Sequence, residues 1–272
     1  MEAIMCKPVY ECLLFDLDDT LYPLSLGINS ACRENIEEYM LNHLNIDREL
    51  IPKLCLELYK EHGTTMAGLK ALGYEFDNDE YHAYVHGRLP YEKLKPDPVL
   101  RNLLLSMPQR KIVFSNADQN HAAIVLSKMG LEGCFEGVIC FETLNPAAPL
   151  TDNKTLEISV EPPSGCGSLP PLPPKSKILC KPSVEAMEAA CQIAGIDPKK
   201  TIFFDDSPRN ITSGKSVGLH TVIIGSSAPV PGADLALESI HNIKEALPEI
   251  WEDVDQLELV VPPSAIETVV LA

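Results

Sequence analysis

The stretch Leu13-Leu14-Phe15-Asp16-Leu17-Asp18-Asp19-Thr20-Leu21-Tyr22 decides how the chain is read. An apolar run from Cys12 to Phe15 breaks abruptly into acids, the pattern of a buried strand that ends in carboxylates. In an open α/β sheet, ligands bind just outside the carboxyl ends of the strands. Residues two apart on an extended backbone face the same way, so Asp16 and Asp18 leave the strand pointing together. Two carboxylates held close repel, and one is driven towards protonation unless a cation lies between them. Mg²⁺, a hard cation that takes oxygen ligands, suits such a site.

Working outward, the composition narrows the class. The chain has 272 residues, enough for a core plus a smaller second unit, and its apolar content of 45% supports a full core. A formal net charge of −17 argues against binding polymeric nucleic acid through its phosphates, but leaves room for a small anionic substrate at a site with a metal and a few basic groups. The nine cysteines form no Cys-x-x-Cys pair, and Cys12, Cys140 and Cys180 sit in or beside apolar runs; this usage fits a reducing compartment rather than a zinc site or disulfide framework. Residues 1–8 lack the apolar centre of a signal peptide and no stretch approaches a membrane span, so a soluble cytoplasmic protein is expected.

After Tyr22 the period changes to that of helices. Ile28, Ala31, Cys32, Tyr39 and Met40, and then Ile51, Leu54, Cys55, Leu58 and Tyr59, fall at helical spacings, with Gly63 as a stop. A short helix follows over 64–72, another from Asn78 or Asp79 to about His86, and Asp97-Pro98 opens a fifth. No strand-like run appears before Lys111, so residues 23–95 read as an all-helical insertion between the first two strands. The second strand, 111–116, ends in Ser115 and Asn116 before a helix over 117–129, where a helix N-terminus favours anions. A third strand is expected over 137–141. Residues 145–177 then carry eight prolines and little periodicity, which reads as a long mobile loop, with 156–160 as a possible strand and partner docking through polyproline geometry as an alternative use. Lys181-Pro182 precedes a helix ending at Gly195. A fourth apolar strand from Thr201 ends in Asp205-Asp206, a pairing that is costly when buried without a cation. A fifth strand over 219–225, a small closing strand over 233–237 and a last helix over 238–251 complete the pattern; the tail, 253–272, has no assignment.

Four motifs, each at the end of an apolar strand and in this order (Asp16-Leu17-Asp18-Asp19-Thr20, Ser115-Asn116, Lys181-Pro182 and Asp205-Asp206), resemble those of the haloacid-dehalogenase-like (HAD) superfamily of phosphohydrolases. Longer words, among them residues 13–23, 63–69, 86–91 and 204–210, resemble its pyrimidine 5′-nucleotidase-type branch, with the nearest likeness to plant members. The resemblance implies an α/β fold: a Rossmann-like parallel-sheet core formed by residues 1–22 and 96–252, with a small all-helical C1-type cap over 23–95. It implies Asp16 as nucleophile and Asp18 as general acid and base. Ser115, Asn116 and Lys181 would bind phosphate. Asp16, the Asp18 backbone carbonyl, Asp205 and Asp206 would hold Mg²⁺. Asp19 reads as a loop-shaping acid. Tyr22, Thr64, Thr65, His86 and Arg88 are the polar groups of the cap segments expected to choose the substrate, a small phosphorylated metabolite such as a nucleoside monophosphate. The dehalogenases that name the superfamily lack an acid at the position of Asp18, because a halide leaving group needs no proton. The motifs leave open a phosphatase for xanthosine monophosphate, a sugar phosphate or a cofactor phosphate. A non-catalytic regulatory protein on the same scaffold is the alternative of another class, against which the intact acids and lysine speak.

Overall fold

A computed structural model describes residues 10–146 and 178–251. The proline-rich segment from 147, including the strand expected at 156–160, and the tail from 252 lie outside the described residues. In chain order the elements are β1 (Cys12–Phe15), α1 (Ile28–Asn42), α2 (Ile51–His62), α3 (Thr65–Ala71), α4 (Asn78–Val85), α5 (Pro98–Ser106), β2 (Arg110–Phe114), α6 (Gln119–Lys128), β3 (Gly137–Ile139), α7 (Phe141–Leu144), α8 (Val184–Ala194), β4 (Thr201–Asp205), α9 (Pro208–Ser216), β5 (His220–Ile224), β6 (Leu235–Leu237) and α10 (Ile243–Ala246), with single 3₁₀ turns between some of them.

The strands form one parallel sheet in the order β3-β2-β1-β4-β5-β6. Both its faces are covered, which is why β1 is apolar throughout and β2 and β4 carry the unbroken apolar runs Ile112–Phe114 and Ile202–Phe204 rather than alternating. Leu13, Phe15, Val113, Ile202 and Phe204 face one layer, with Leu100 and Leu104 of α5 and Ala122 and Val125 of α6. Their sequence neighbours Cys12, Leu14, Ile112, Phe114 and Phe203 face the other, with Met187 and Ala190 of α8 and Ile211 of α9. β1 lies between β2 and β4, so the chain crosses to opposite sides of it after the first and second halves of the sheet. Such a switch point opens a crevice at the carboxyl ends of the strands, where Asp16, Ser115 and Asp205 stand.

The helices between β1 and β2 pack a third cluster of their own. Tyr39, Met40, Cys55, Leu58, Met66, Leu69, Tyr81 and Val85 are buried together, and among the described residues Phe141 at the start of α7 is the one buried residue that joins them from outside the insertion. α2 and α3 approach so closely that a Cβ on Gly68 would lie 2.6 Å from the Leu58 Cβ. No helix among the described residues is long and apolar enough to cross a membrane.

Several boundaries differ from expectation for local reasons. The helix after Asn116 starts at Gln119, because the Asp118 side chain accepts a hydrogen bond from the His121 N–H and caps it there. Asp77, not Asn78 or Asp79, caps α4 by accepting from the Glu80 N–H. The third strand stops at Ile139, and Cys140 turns into α7. The single last helix expected over 238–251 is instead three short turns: Ser239 caps the first, and Pro248, which has no N–H to continue a helix, ends the second.

Gly68→Val should force α2 and α3 apart and lower stability by about 1–3 kcal/mol, the usual cost of overpacking. Thermal or denaturant unfolding of the variant beside the wild type checks this.

Candidate active site

Each strand end delivers its side chain to one crevice. The Asp16 N–H donates to the Phe204 carbonyl (2.8 Å), continuing the ladder one residue past β1 and aiming the carboxylate out of the sheet. The loop then tightens: Asp19 adopts a left-handed backbone (φ 61°), and its carboxylate accepts from Asn29 at 2.8 Å. Thr20 Oγ1 donates back to Asp16 Oδ2 at 2.9 Å.

Lys181, 1% exposed, is the centre of the crevice. Its Nζ donates to Asp16 Oδ1 (2.6 Å), Asp205 Oδ2 (2.8 Å) and the Phe114 carbonyl (2.8 Å), which uses all three of its N–H bonds. Burial disfavours the charged amine, but Asp16 and Asp205 outweigh it and raise its pKa. Asn116 anchors the lysine's own backbone: its side-chain amide donates to the Lys181 carbonyl (2.9 Å) and accepts from the Lys181 N–H (2.8 Å). Ser115 is buried at the end of β2, where its Oγ accepts from the Ala117 N–H at 3.0 Å and keeps its own proton free to donate.

Asp16, Asp205 and Asp206 bring one carboxylate oxygen each within 4.8 Å of one another. The three are not equivalent. Both oxygens of Asp205 are occupied, by Lys181, the Ser207 N–H and Asn210. Asp206 has no hydrogen-bond donor among the described residues, and burial followed by repulsion from Asp16 and Asp205 pushes its pKa up. Burial likewise raises Asp16, against the pull of Lys181. An all-oxygen cluster with one carboxylate left unneutralised fits a hard divalent cation.

Asp18 stands apart from that cluster. One of its oxygens, Oδ1, accepts from Tyr22 Oη (2.5 Å) and from His121 Nε2 (2.7 Å), so the carboxylate is held by one end. Burial works against its charge, but the His121 imidazole and then the Tyr22 hydroxyl overcome that and hold its pKa at about 2. His121 Nδ1 meets Tyr91 Oη at 2.7 Å. Behind it, His86 Nδ1 is bonded to Asp118 Oδ1, and the His86 and His121 rings lie 4.7 Å apart. His121, Tyr91 and Asp118 were not legible as site residues in the sequence; the available signal was that a helix capped by Asp118 carries His121 at its third position, beside the mouth of β2.

These groups line one cavity of about 420 Å³, shared between the strand ends and the inserted helices. Asp16, Asp18, Ser115, Asn116, Lys181 and Asp206 line it from the sheet; Tyr22, Thr64, Thr65 and His86 line it from the expected specificity set. Of these, Thr64 is also the N-cap of α3, accepting from the Ala67 N–H, and Thr65 Oγ1 donates to the Cys55 carbonyl. Arg88 is not brought there. It pairs with Glu38 at 2.7 Å with 45% of its side chain exposed, and its guanidinium lies over the Tyr84 ring. The insertion meets the sheet along a tight seam. Gly63, at φ 90°, leaves no room for a Cβ, which would lie 2.4 Å from the Lys181 carbonyl; Cys180 Sγ donates to the His62 carbonyl, and Arg209 donates to the last carbonyls of α2 at Tyr59 and Lys60.

In the metal-free protein, Asp16 and Asp206 together bind a proton that the unfolded chain, with ordinary carboxylate pKa values, has lost by about pH 5. Because the folded state binds more protons, this contribution to stability is full below the unfolded carboxylate range and disappears as pH rises through neutrality. Asp206→Asn should therefore raise the melting temperature of chelator-treated protein at pH 8 and flatten its decline between about pH 5 and 8; melting curves across that range, with and without a divalent cation, check it.

Comparisons with known proteins agree with this architecture. No protein-family model matches the chain. The chain is 24% identical over 225 residues to phosphate metabolism protein 8 of Saccharomyces cerevisiae; the match takes in 79% of this chain but spans only 62% of the yeast protein. Among solved structures, it is similar to a magnesium-bound HAD-hydrolase, YfnB, from Bacillus subtilis (TM-score 0.52, 17% identity, 88% of this chain and 99% of that one). It is also similar to a HAD phosphatase from Thermococcus onnurineus (0.52, 16%, 87% and 97%) and to CbbY from Rhodobacter sphaeroides in complex with phosphate (0.53, 15%, 86% and 96%). The six-stranded parallel sheet and its helices are the HAD fold.

Proposed function

We propose that the chain is a Mg²⁺-dependent phosphomonoester hydrolase that removes phosphate from nucleoside 5′-monophosphates. One observation carries this reading: a carboxylate held by a buried lysine (Asp16) and a second, separately oriented carboxylate (Asp18) open into the same cavity, whose other wall is made by the inserted helices. The HAD fold of the chain and its likeness to the yeast protein lend it support.

Asp16 attacks phosphorus, forming an aspartyl phosphate and splitting one difficult displacement into two. Asp18, ionised in the ligand-free protein, takes up a proton from solvent as the phosphate dianion enters beside it, and gives that proton to the departing ribose oxygen. It then takes one from the water that hydrolyses the aspartyl phosphate, which returns Asp16 and releases inorganic phosphate. Tyr22 and His121 tie Asp18 by one oxygen, leaving the other to face the reacting groups. Ser115 donates its hydroxyl proton to a phosphoryl oxygen. Lys181 neutralises Asp16 and Asp205, and Asn116 fixes the lysine's backbone, so both serve the phosphoryl site chiefly by holding its parts in register. Asp16 and Asp206 would hold Mg²⁺, with the Asp18 carbonyl and with Asp205 as support, and the bound ion would supply neutralisation of charge on the transferring group. Residues 23–95 act as the cap, excluding water and selecting the leaving group.

Phosphate release in Mg²⁺ from nucleoside monophosphates, sugar phosphates and pyridoxal phosphate tests the reading. Turnover of a nucleotide group should vanish with EDTA and with Asp16→Asn, and fall about 10²–10⁴-fold in kcat with Asp18→Asn. Undiminished release by Asp16→Asn would remove the covalent mechanism, and a preference for sugar phosphates would replace the substrate.

A further inference from the structure

Residues 86–91, one of the distinctive words of the sequence, end on a side chain that turns away from the cavity. Tyr91 opens the 3₁₀ turn Tyr91–Lys93, on the way back from the inserted helices to the sheet, and is not among the residues lining the cavity. It packs half-buried against one hydrophobic layer of the sheet. Its hydroxyl meets His121 Nδ1 at 2.7 Å, with the two ring centroids 5.7 Å apart. Whatever Tyr91 does for the chemistry, it does through His121.

His121 is 2% exposed, and each of its polar atoms has a partner. Its backbone N–H donates to Asp118 Oδ2 at 3.3 Å, which sets it in the first turn of α6, and its Nε2 meets Asp18 Oδ1 at 2.7 Å. The backbone bond does not fix the ring. An imidazole can turn over about its Cβ–Cγ bond, which exchanges each nitrogen with a carbon and would set Cε1 against Asp18 in place of Nε2. A hydrogen bond at the other nitrogen is what selects one orientation, and Tyr91 makes that bond. A hydroxyl both donates and accepts, so the bond holds whichever of the two partners carries the proton between them.

The orientation matters because of what it leaves open on Asp18. Tyr22 Oη at 2.5 Å and His121 Nε2 at 2.7 Å together occupy both lone pairs of Oδ1. Oδ2 has no hydrogen bond among the described residues, and the carboxylate lines the cavity. With Oδ1 filled, Oδ2 is the oxygen left to exchange a proton with the leaving group.

We propose that Tyr91 is a positioning residue for the general acid: by holding His121 Nε2 against Asp18 Oδ1, it keeps Asp18 Oδ2 turned towards the leaving-group oxygen. This rests on the phosphatase reading and adds to it a residue outside the cavity on which departure of the leaving group depends.

Tyr91→Phe keeps the ring and its packing and removes only the hydroxyl. The test compares kcat/KM, which reports the step in which the leaving group departs, on two kinds of ester. On the best substrate among nucleoside 5′-monophosphates and ribose 5-phosphate, all of which leave as alkoxides, Tyr91→Phe should lose about tenfold, the scale of one hydrogen bond, mostly through kcat. On p-nitrophenyl phosphate, whose leaving group departs without a proton, it should be nearly unchanged. His121→Gln lacks the nitrogen that Tyr91 holds, so adding Tyr91→Phe to it should cost nothing further on the alkyl ester. Equal losses on both kinds of ester, or losses that add in the double variant, would overturn the assignment. Should the wild type refuse p-nitrophenyl phosphate, the double variant decides alone. A wild type that takes ribose 5-phosphate and no nucleotide overturns the nucleotide substrate and leaves this test in force. A wild type inert on every ester ends the phosphatase reading and this assignment together, whereas an active one with uniform or additive losses removes Tyr91 alone.

Discussion

A single ammonium group ties three strands of this protein together. Lys181 Nζ is bonded at once to the carboxylate that ends β1, the last carbonyl of β2 and the carboxylate that ends β4. Those are adjacent strands, and their carboxyl ends would otherwise put two buried acids side by side in the driest part of the molecule. Removing one partner from a buried ionic cluster usually costs about 3–5 kcal/mol, because the charge left behind has no solvent to turn to. The lysine is therefore as much a condition of the fold as of its chemistry. The arrangement also stops short of neutrality: two acids are held by one base, and Asp206 adds a third that has no hydrogen-bond donor among the described residues.

Much of this could be read from the sequence because the sheet is buried on both sides. A strand covered on two faces runs apolar on consecutive residues, so the polar residue that ends the run stands out. Four such edges occur, at Asp16, Ser115, Lys181 and Asp205, and three are true strand ends in the central sheet. The helical insertion was legible for the complementary reason that no period-two run interrupts it. The reading weakened wherever a side chain's task is set by a partner far along the chain. Asn116 reads as a ligand for phosphate; what the sequence does not show is that one of its amide N–H groups and its amide oxygen also hold the backbone of Lys181. Arg88, in a distinctive segment, turns outward to Glu38. His121 reads as one histidine on an ordinary helix; only the folded chain shows it bonded to Asp18, 103 positions earlier.

The seam between insertion and sheet is built from backbone as much as from side chains. Gly63 lies against the Lys181 carbonyl with no space for a methyl group, and Arg209, next to the paired acids, holds the carbonyls at the end of α2. Across the same boundary His86 of the insertion meets Asp118, which caps the helix that presents His121 to Asp18. The insertion thus touches the lysine-bearing segment and the support of Asp18 at separate points, so both carboxylates feel how it is seated.

The inserted helices keep their own hydrophobic cluster, which among the described residues is joined from outside by the buried Phe141 and the half-buried Ile178. That separation has an evolutionary consequence. A substitution in the roof of the cavity draws on the packing of the insertion, while the lysine-bound strand ends draw on the two layers of the sheet. Substitutions confined to that small core can reshape the roof while the packing beneath the strand ends stays as it is, so long as the seam at Gly63, Arg209 and His86 is kept.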